Sequence, residues 1–198
     1  MKLAFSTLGC PNFTWTEIYT MAKDLGFKGI EVRGLGKEIS AVKAQPFSEE
    51  QLPQTKQKLA ELRLEIPCLT SGCCLKFPEK AEENHAELVQ YITLASKLGT
   101  PYVRVLGDLE PHVTGEVNDD VVLAALQRLA PIAEEKGVTL LVETNGVYAD
   151  TARLCKLLDQ VASDSVGALW DMHHPYRFAG ESPGKTVQNL GAYIKYVH

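Results

Sequence analysis

Three residues in the second half of the chain have the types and the spacing of a metal site. Glu143 ends an apolar run in LLVETN, Asp171 ends another in ALWDMHHP, and His198 ends KYVH. They are separated by 28 and 27 residues, about one strand–helix unit each, so successive parallel strands would carry them side by side. Two carboxylates and an imidazole suit a divalent cation. The carboxylates favour Mg²⁺ or Mn²⁺, and the imidazole extends the choice to Co²⁺, Fe²⁺ or Zn²⁺.

His174 is a fourth candidate, three residues after Asp171 and directly before Pro175. Taken singly, each of these residues has an ordinary structural interpretation. An acidic residue at a strand end is often a helix cap, and a lone histidine is most often structural. The metal-site hypothesis therefore depends on three groups falling in register on successive strands.

The elements that must position these residues alternate strictly along the sequence. The predicted strands are residues 2–7, 29–34, EIPCLTSG, 102–108, 139–145, VGALWDM and the terminal YVH. Six helices are predicted: one capped by Thr16, one opened by Ser48, one over 80–98, one from Asn118 to Gly137, one capped by Asp150, and one over 186–194. Seven strands alternating with six helices predict right-handed βαβ units and a parallel sheet.

The fold class predicted is α/β, and the architecture is a (β/α)8 TIM barrel rather than a doubly wound sheet. No GxGxxG follows the first strand, and no Walker A motif is present. Polar residues instead end several predicted strands, as they do at the mouth of a barrel. These residues are Glu31, Arg33, Asp108, Glu143 and Asp171.

The length affects how much of a barrel is expected. A complete barrel needs roughly 250 residues, whereas this sequence has 198 and ends inside the seventh predicted strand. We therefore expect residues 1–198 to form a single barrel domain, truncated after strand seven, without strand eight and the last helices. An open or oligomer-completed structure is the alternative.

Composition and charge exclude several classes of function. The chain has 20 Lys and Arg against 25 Asp and Glu, a net charge of −5, which gives no attraction to nucleic acid or anionic lipid. No apolar run approaches the ~20 residues of a membrane span, and no secretory signal opens the chain. The five cysteines lack the spacing of a zinc ribbon or a disulfide framework. We expect a cytoplasmic protein with reduced thiols and neither nucleic acid nor membrane as partner.

The sequence resembles the sugar phosphate isomerase/epimerase family of the xylose isomerase-like barrel superfamily over essentially its whole length. The matching motifs are STLGCPNF followed by GFKGIEVRG, then VETNG, WDMHHPYRFAGESP and the final YVH. The resemblance implies one divalent metal held by Glu, Asp, His and Glu from strands five to eight. The first three of these ligands match Glu143, Asp171 and His198, and the fourth has no counterpart. In the DxxH motif formed by Asp171 and His174, the resemblance implies that the histidine contacts the substrate.

The resemblance implies a metal-dependent sugar or sugar-phosphate isomerase or epimerase. In such enzymes a carboxylate removes the proton next to a polarised carbonyl, giving an enediolate, and a second group returns it. Returning the proton to the opposite face epimerises the sugar, and moving it to the next carbon isomerises it. Glu143 and His174 are the predicted catalytic residues. Mn²⁺ or Mg²⁺ is predicted ahead of Co²⁺ or Zn²⁺, and a homodimer is a possible assembly.

Three other functions are alternatives on this scaffold. A dehydratase of a polyol ketone begins with the same proton abstraction and differs only in its leaving group. A non-catalytic sugar-binding barrel stays open because the fourth ligand is missing. An apurinic-site endonuclease is disfavoured, because TSGCCLKF and VLGDLEP lack the extra histidines of a three-zinc cluster and the chain is acidic.

Further polar residues are predicted to bind substrate. Glu31 and Arg33 share one face of the second strand, where they either bind substrate hydroxyls or form a buried ion pair. Arg104 and Asp108 on the fourth strand carry the same two interpretations. Arg177 in HPYRF is predicted to meet a phosphate or hydroxyl, with a solvent-facing position as the alternative.

Overall fold

A computed structural model describes residues 2–198, in which strands and helices alternate as predicted up to residue 170, after which two helices precede the last strand. The strands are β1 (Ala4–Ser6), β2 (Gly29–Glu31), β3 (Cys68–Cys74), β4 (Tyr102–Leu106), β5 (Thr139–Glu143), β6 (Val166–Trp170) and β7 (Ile194–Val197). The helices are α1 (Trp15–Asp24), α2 (Leu52–Leu62), α3 (Ala81–Leu98), α4 (Asp119–Glu135), α5 (Thr151–Val161), α6 (His173–Phe178) and α7 (Pro183–Leu190). Among residues 2–198, no helix has the length and apolar character needed to cross a membrane.

Strand order follows the sequence. β1 pairs with β2, and the five remaining strands form a sheet in the order β3-β4-β5-β6-β7. The pairs β1–β2, β5–β6 and β6–β7 are parallel. A doubly wound sheet reverses its strand order at a switch point, whereas a (β/α)8 barrel keeps sequential order. The predicted barrel topology is therefore confirmed, with seven strands in the described chain.

The chain forms two compact units, residues 2–71 with 90–103 and residues 72–89 with 104–198. In the first unit, Ile18 and Ala22 are fully buried on one face of α1, and Ile30 of β2 is fully buried as well. In the second unit, α4 contacts β5 and buries a stripe of apolar residues at helical spacing. That stripe is Val122, Leu126, Leu129, Ala130 and Ala133.

Several predicted helix boundaries are confirmed. Asn118 caps α4 by accepting from Asp120 N, and Asp150 caps α5 by accepting from the backbone of two residues in its first turn. Gly137 lies just after α4 with φ +65°. These positions were predictable because a cap satisfies backbone N–H groups of its own helix, which is a local interaction.

Two predicted helix starts are wrong. Thr14, not Thr16, caps α1, because Thr14 and Glu17 satisfy each other's backbone N–H groups in a capping box. α2 begins at Leu52, four residues after Ser48. Proline is favoured in the first turn of a helix, where its missing N–H costs nothing, and Pro53 holds that place in α2.

The region between β6 and β7 also differs from the prediction. It contains α6, which was not predicted, followed by α7 over Pro183–Leu190 rather than a helix over 186–194. A short 3-10 turn, Gly191–Tyr193, leads from α7 into β7. Ser182 caps α7 by accepting from Lys185 N, and Pro183 opens its first turn.

Candidate metal centre

The backbone ladder of β5, β6 and β7 places the three predicted ligands next to one another. Glu143 is the last residue of β5, while Asp171 and His198 each follow directly after their own strand. His198 N donates to Trp170 O over 2.9 Å, and Met172 N donates to His198 O over 3.0 Å, so the pairing of β6 with β7 continues to the ligands. All three residues belong to the second compact unit.

The side chains of Glu143, Asp171 and His198 converge. Each offers one ligand atom, and the three atoms lie within 4.8 Å of one another. Glu143 Oε1 is 3.4 Å from His198 Nδ1. Two carboxylates with one imidazole form a donor set of hard oxygens and one nitrogen, which fits Mg²⁺, Mn²⁺, Co²⁺ or Zn²⁺. The predicted ligands are thus brought together in a group that can hold a cation.

The second oxygen of Glu143 has a different partner. Arg104, in the middle of β4, places its Nε 3.2 Å from Glu143 Oε2, and both side chains are about one-tenth exposed. Burial by itself raises the pKa of Glu143, but the contact with His198 and the positive charge of Arg104 outweigh it and hold the pKa below its usual range. Glu143 is therefore a carboxylate at neutral pH, as a metal ligand must be.

Asp171 also organises the start of α6. Its Oδ1 accepts from His173 N over 2.8 Å and from His174 N over 3.3 Å. These two hydrogen bonds satisfy backbone N–H groups in the first turn of α6, whose N-cap residue is Met172, and the turn brings the His174 ring back toward the carboxylate. His174 Nε2 lies 3.5 Å from Asp171 Oδ2.

The orientation of His174 identifies its chemically available nitrogen. Its Nδ1 is 3.1 Å from the carbonyl oxygen of Thr144. A carbonyl oxygen only accepts, so Nδ1 carries a proton in this contact, and Nε2 is the nitrogen that can give or take one. His174 therefore presents Nε2 on the side of Asp171.

Thr144 was missed by sequence reasoning. It is fully buried directly after Glu143, and its hydroxyl bonds to the backbone of Asp171. A small polar residue next to a predicted ligand was the only available signal, and it did not identify the partner on the next strand.

An aromatic group lies beside His174. The Phe178 ring of α6 lies 5.9 Å from the ring of His174 and 5.8 Å from that of His112. Phe178 is 39% exposed, so its ring is open to a ligand. The sequence pattern gave His112 no role and did not predict α6, so this aromatic group was not anticipated.

The other predicted substrate residues have different positions. Glu31 is buried at the end of β2, and Arg33 donates from a guanidinium nitrogen to Ile39 O over 2.9 Å, both within the first unit. Arg177 is exposed on α6. Asp108 forms an ion pair with Lys76 at 2.7 Å. Of its two predicted roles, substrate binding or a buried ion pair, the structure thus shows the ion pair. Substrate contact by Glu31, Arg33 and Arg177 stays a prediction.

Comparison with known proteins gives a family match over most of the chain. The family model described as xylose isomerase-like TIM barrel matches residues 19–198. A curated relative, the C-glycoside deglycosidase alpha subunit of Microbacterium trichothecenolyticum, is 38% identical over 82 residues. That match covers 39% of this chain and 19% of the relative, so the chain spans only about a fifth of the relative's length.

Solved structures share the fold at low sequence identity. A xylose isomerase-like TIM barrel protein from Mycobacterium smegmatis in complex with magnesium has a TM-score of 0.78 at 18% identity, over 100% of this chain and 73% of that one. The 3-keto-D-glucoside 4-epimerase of E. coli has a TM-score of 0.78 at 15% sequence identity, over 100% of this chain and 78% of that one. A probable 3-DHS dehydratase from Bacillus anthracis has a TM-score of 0.78 at 20% sequence identity, over 100% of this chain and 72% of that one. Relatives on this fold thus include both an epimerase and a dehydratase.

Proposed function

Because the chain belongs to the xylose isomerase-like TIM barrel family, we propose that it is a divalent-metal-dependent sugar or sugar-phosphate isomerase or epimerase. The observation that carries the proposal is the convergence of Glu143, Asp171 and His198 within 4.8 Å. Similarity to an epimerase structure supports the reaction class, and similarity to a magnesium complex supports the cation.

Glu143, Asp171 and His198 would hold the cation. When bound, a divalent ion supplies Lewis-acid polarisation of a substrate carbonyl, which makes the neighbouring C–H acidic. The ionised state of Glu143 and the donor set favour Mg²⁺ or Mn²⁺, with Co²⁺ or Zn²⁺ as alternatives. The fourth carboxylate implied by the family resemblance has no counterpart among the 198 residues.

The chain's own residues have distinct roles in the proposed reaction. Glu143 is the base that takes the proton next to the carbonyl, through Oε2, the oxygen that faces Arg104 rather than His198. Its carboxylate is ionised and about nine-tenths buried, away from competing water. His174 binds a substrate hydroxyl through Nε2, which the Nδ1 contact to Thr144 O aims away from the backbone. Phe178 offers an exposed aromatic face to the apolar side of a sugar ring.

The partner proposed is a small sugar or sugar phosphate, with no nucleic acid or membrane involved. The names of two relatives, a 3-keto-D-glucoside epimerase and a C-glycoside deglycosidase subunit, add keto-glycosides to the substrates worth testing. We propose a cytoplasmic location, for which the support is that the spacing of the five cysteines does not indicate a disulfide framework. A homodimer remains the proposed assembly.

A dehydratase of a polyol ketone is the second candidate. The dehydratase-type structure matches this chain with the same TM-score, 0.78, as the epimerase. Both reactions begin with proton abstraction next to a carbonyl, so the proposed metal centre serves either one. After that step the dehydratase loses water, whereas the isomerase or epimerase returns the proton to the sugar. Identification of the product therefore separates the two reactions.

The test combines metal content with proton exchange. The chain is loaded with Mn²⁺, its metal content is measured, and ketoses, ketose phosphates, 3-keto-glycosides and cyclic polyol ketones are incubated with it in D₂O. We expect one ion per chain and metal-dependent deuterium uptake next to a carbonyl, both lost in Glu143→Gln. The exposed Glu134→Gln serves as a matched control that keeps both.

Three results would contradict the isomerase proposal. Bound metal and bound sugar without deuterium uptake would indicate a non-catalytic sugar-binding barrel. Loss of water from a cyclic ketone would identify a dehydratase. About three zinc ions per chain would revive the endonuclease interpretation.

A further inference from the structure

The two oxygens of Glu143 face different partners, and this asymmetry has a consequence for cation binding. Oε1 is 3.4 Å from His198 Nδ1, on the side of the other ligands, whereas Oε2 is 3.2 Å from Arg104 Nε. We infer that Arg104 is a positioning residue that holds Oε2 and so limits Glu143 to one oxygen toward the cation. The inference rests on the proposed metal centre.

The position of Arg104 in the fold suits this role. β4 lies next to β5 in the sheet, and Arg104 reaches from the middle of β4 to the carboxylate at the end of β5. Its side chain is 11% exposed, and a strand holds its backbone in place. Arg104 therefore constrains the orientation of Glu143 through this ion pair.

The constraint selects among cations by size and ligand number. Ca²⁺ takes six to eight oxygens and commonly binds a carboxylate through both of them, whereas Mg²⁺ prefers about six and small, regular geometry. A glutamate whose second oxygen is held by an arginine is a poor bidentate ligand. Arg104 thus adds to the preference for Mg²⁺ and Mn²⁺ over Ca²⁺ that the imidazole of His198 already gives the centre.

The test compares metal affinity and selectivity in Arg104→Met, Arg104→Lys and a matched control. Arg104→Met keeps the length and apolar volume of the side chain but removes the contact with Oε2. Arg104→Lys keeps the charge but lacks the planar guanidinium. This variant therefore rescues an effect of charge and does not rescue an effect of orientation. The control is Arg153→Met, because Arg153 also pairs with a carboxylate in the same unit, that of Asp119.

Affinities for Mn²⁺ and Ca²⁺ are measured by titration calorimetry on the full chain, after circular dichroism has shown that each variant is folded. We expect Arg104→Met to weaken Mn²⁺ binding by roughly 10–100-fold, as loss of an outer-sphere partner commonly does. The preference for Mn²⁺ over Ca²⁺ should fall by about 10-fold or more on the same ground. Arg104→Lys should restore part of the Mn²⁺ affinity but not the preference, and Arg153→Met should change neither.

The outcomes separate this inference from the proposed function. If the wild-type chain binds no divalent cation, the proposed metal centre itself is wrong. If the wild type binds Mn²⁺ and Arg104→Met keeps both its affinity and its preference over Ca²⁺, the centre stands and the role of Arg104 is overturned. Should Arg104→Met fail to fold, an unchanged preference in Arg104→Lys overturns the inference equally.

Discussion

Thr144 and Asp171 exchange two hydrogen bonds across the ends of β5 and β6. The Thr144 hydroxyl accepts from Asp171 N over 2.9 Å and donates to Asp171 O over 3.2 Å. Because Thr144 directly follows Glu143, this pair joins two of the three ligand residues through one fully buried side chain. A hydroxyl that is not itself a ligand thus reinforces the backbone pairing that carries the two carboxylates.

Replacement of Thr144 should therefore affect metal binding without removing a ligand. Thr144→Val keeps the shape but leaves a buried N–H unpaired, which should lower the free energy of unfolding by about 1–3 kcal/mol. Mn²⁺ affinity, measured by titration calorimetry, should fall roughly 10-fold. This is the lower end of the roughly 10–100-fold range for loss of a hydrogen bond that supports a metal ligand. Thr144→Ser keeps the hydroxyl and should retain most of both quantities. Wild-type affinity in Thr144→Val would show that other contacts hold Asp171 in place.

Cation binding should stabilise the wild-type chain and not Asp171→Asn. At 100 times the dissociation constant, a ligand adds about 2.7 kcal/mol to the free energy of unfolding, which raises Tm by roughly 5–10 °C for a chain of this size. Asparagine keeps an oxygen that accepts from His173 N and His174 N, so the metal-free variant should stay folded. Thermal melts with and without Mn²⁺ test this.

Asp164→Asn is the control for that experiment, since Asp164 is an exposed carboxylate elsewhere in the same unit. It should show the full rise in Tm, which EDTA reverses. An equal rise in Asp171→Asn would place the cation at other residues.

The Lys76–Asp108 ion pair should make stability depend on pH. Burial by itself raises the pKa of Asp108, but hydrogen bonds from Lys76, Val147 N and Leu109 N outweigh it and hold the pKa below its ordinary value. A lowered folded-state pKa stabilises the chain above the unfolded-state pKa of about 3.9. That contribution is lost as the pH falls through the folded-state pKa.

Asp108→Asn should therefore cost about 1–3 kcal/mol at pH 7, because it removes the charge that pairs with the mostly buried ammonium group of Lys76. Urea unfolding between pH 7 and pH 2 measures the difference, which should shrink below pH 4 as the wild-type carboxylate becomes protonated. Glu79→Gln, an exposed change in the loop after β3, should follow the wild type at every pH. A difference that stays constant with pH would show that the charge of Asp108 is not what stabilises the fold.

Gly146 is expected to tolerate no side chain. Its φ of +55° lies in the left-handed region, and a Cβ there would overlap the carboxylate of Asp108. Gly146→Ala should cost about 1–2 kcal/mol from backbone conformation alone, and more from displacement of Asp108. Urea unfolding measures the loss, and Gly115→Ala, where nothing lies within 4 Å of the new Cβ, should change little. Equal stability of the two variants would contradict this account of the turn after β5.

Much of the fold and part of the centre followed from local pattern. Asn118 and Asp150 were identified as helix caps because a cap acts on its own helix. Glu143, Asp171 and His198 were identified because strand–helix repeats bring residues of equal phase to neighbouring strand ends. α6 was not predicted, since its six residues are too short for a helical pattern and its start depends on the side chain of Asp171.

The order of the seven strands, the negative charge and the residues available as cation ligands follow from the sequence, whereas α6 does not. Tertiary structure alone decided that Arg104 pairs with Glu143, that Lys76 pairs with Asp108 and that Thr144 bridges to Asp171. Arg104, Lys76 and Thr144 come from three different parts of the sheet region: the middle of β4, the segment after β3 and the residue after β5. The alternation of side chains along a strand, with a period of two, decides on which face of the sheet each side chain lies. The group that it contacts on that face depends on the register between neighbouring strands, and the packing of the whole core sets that register.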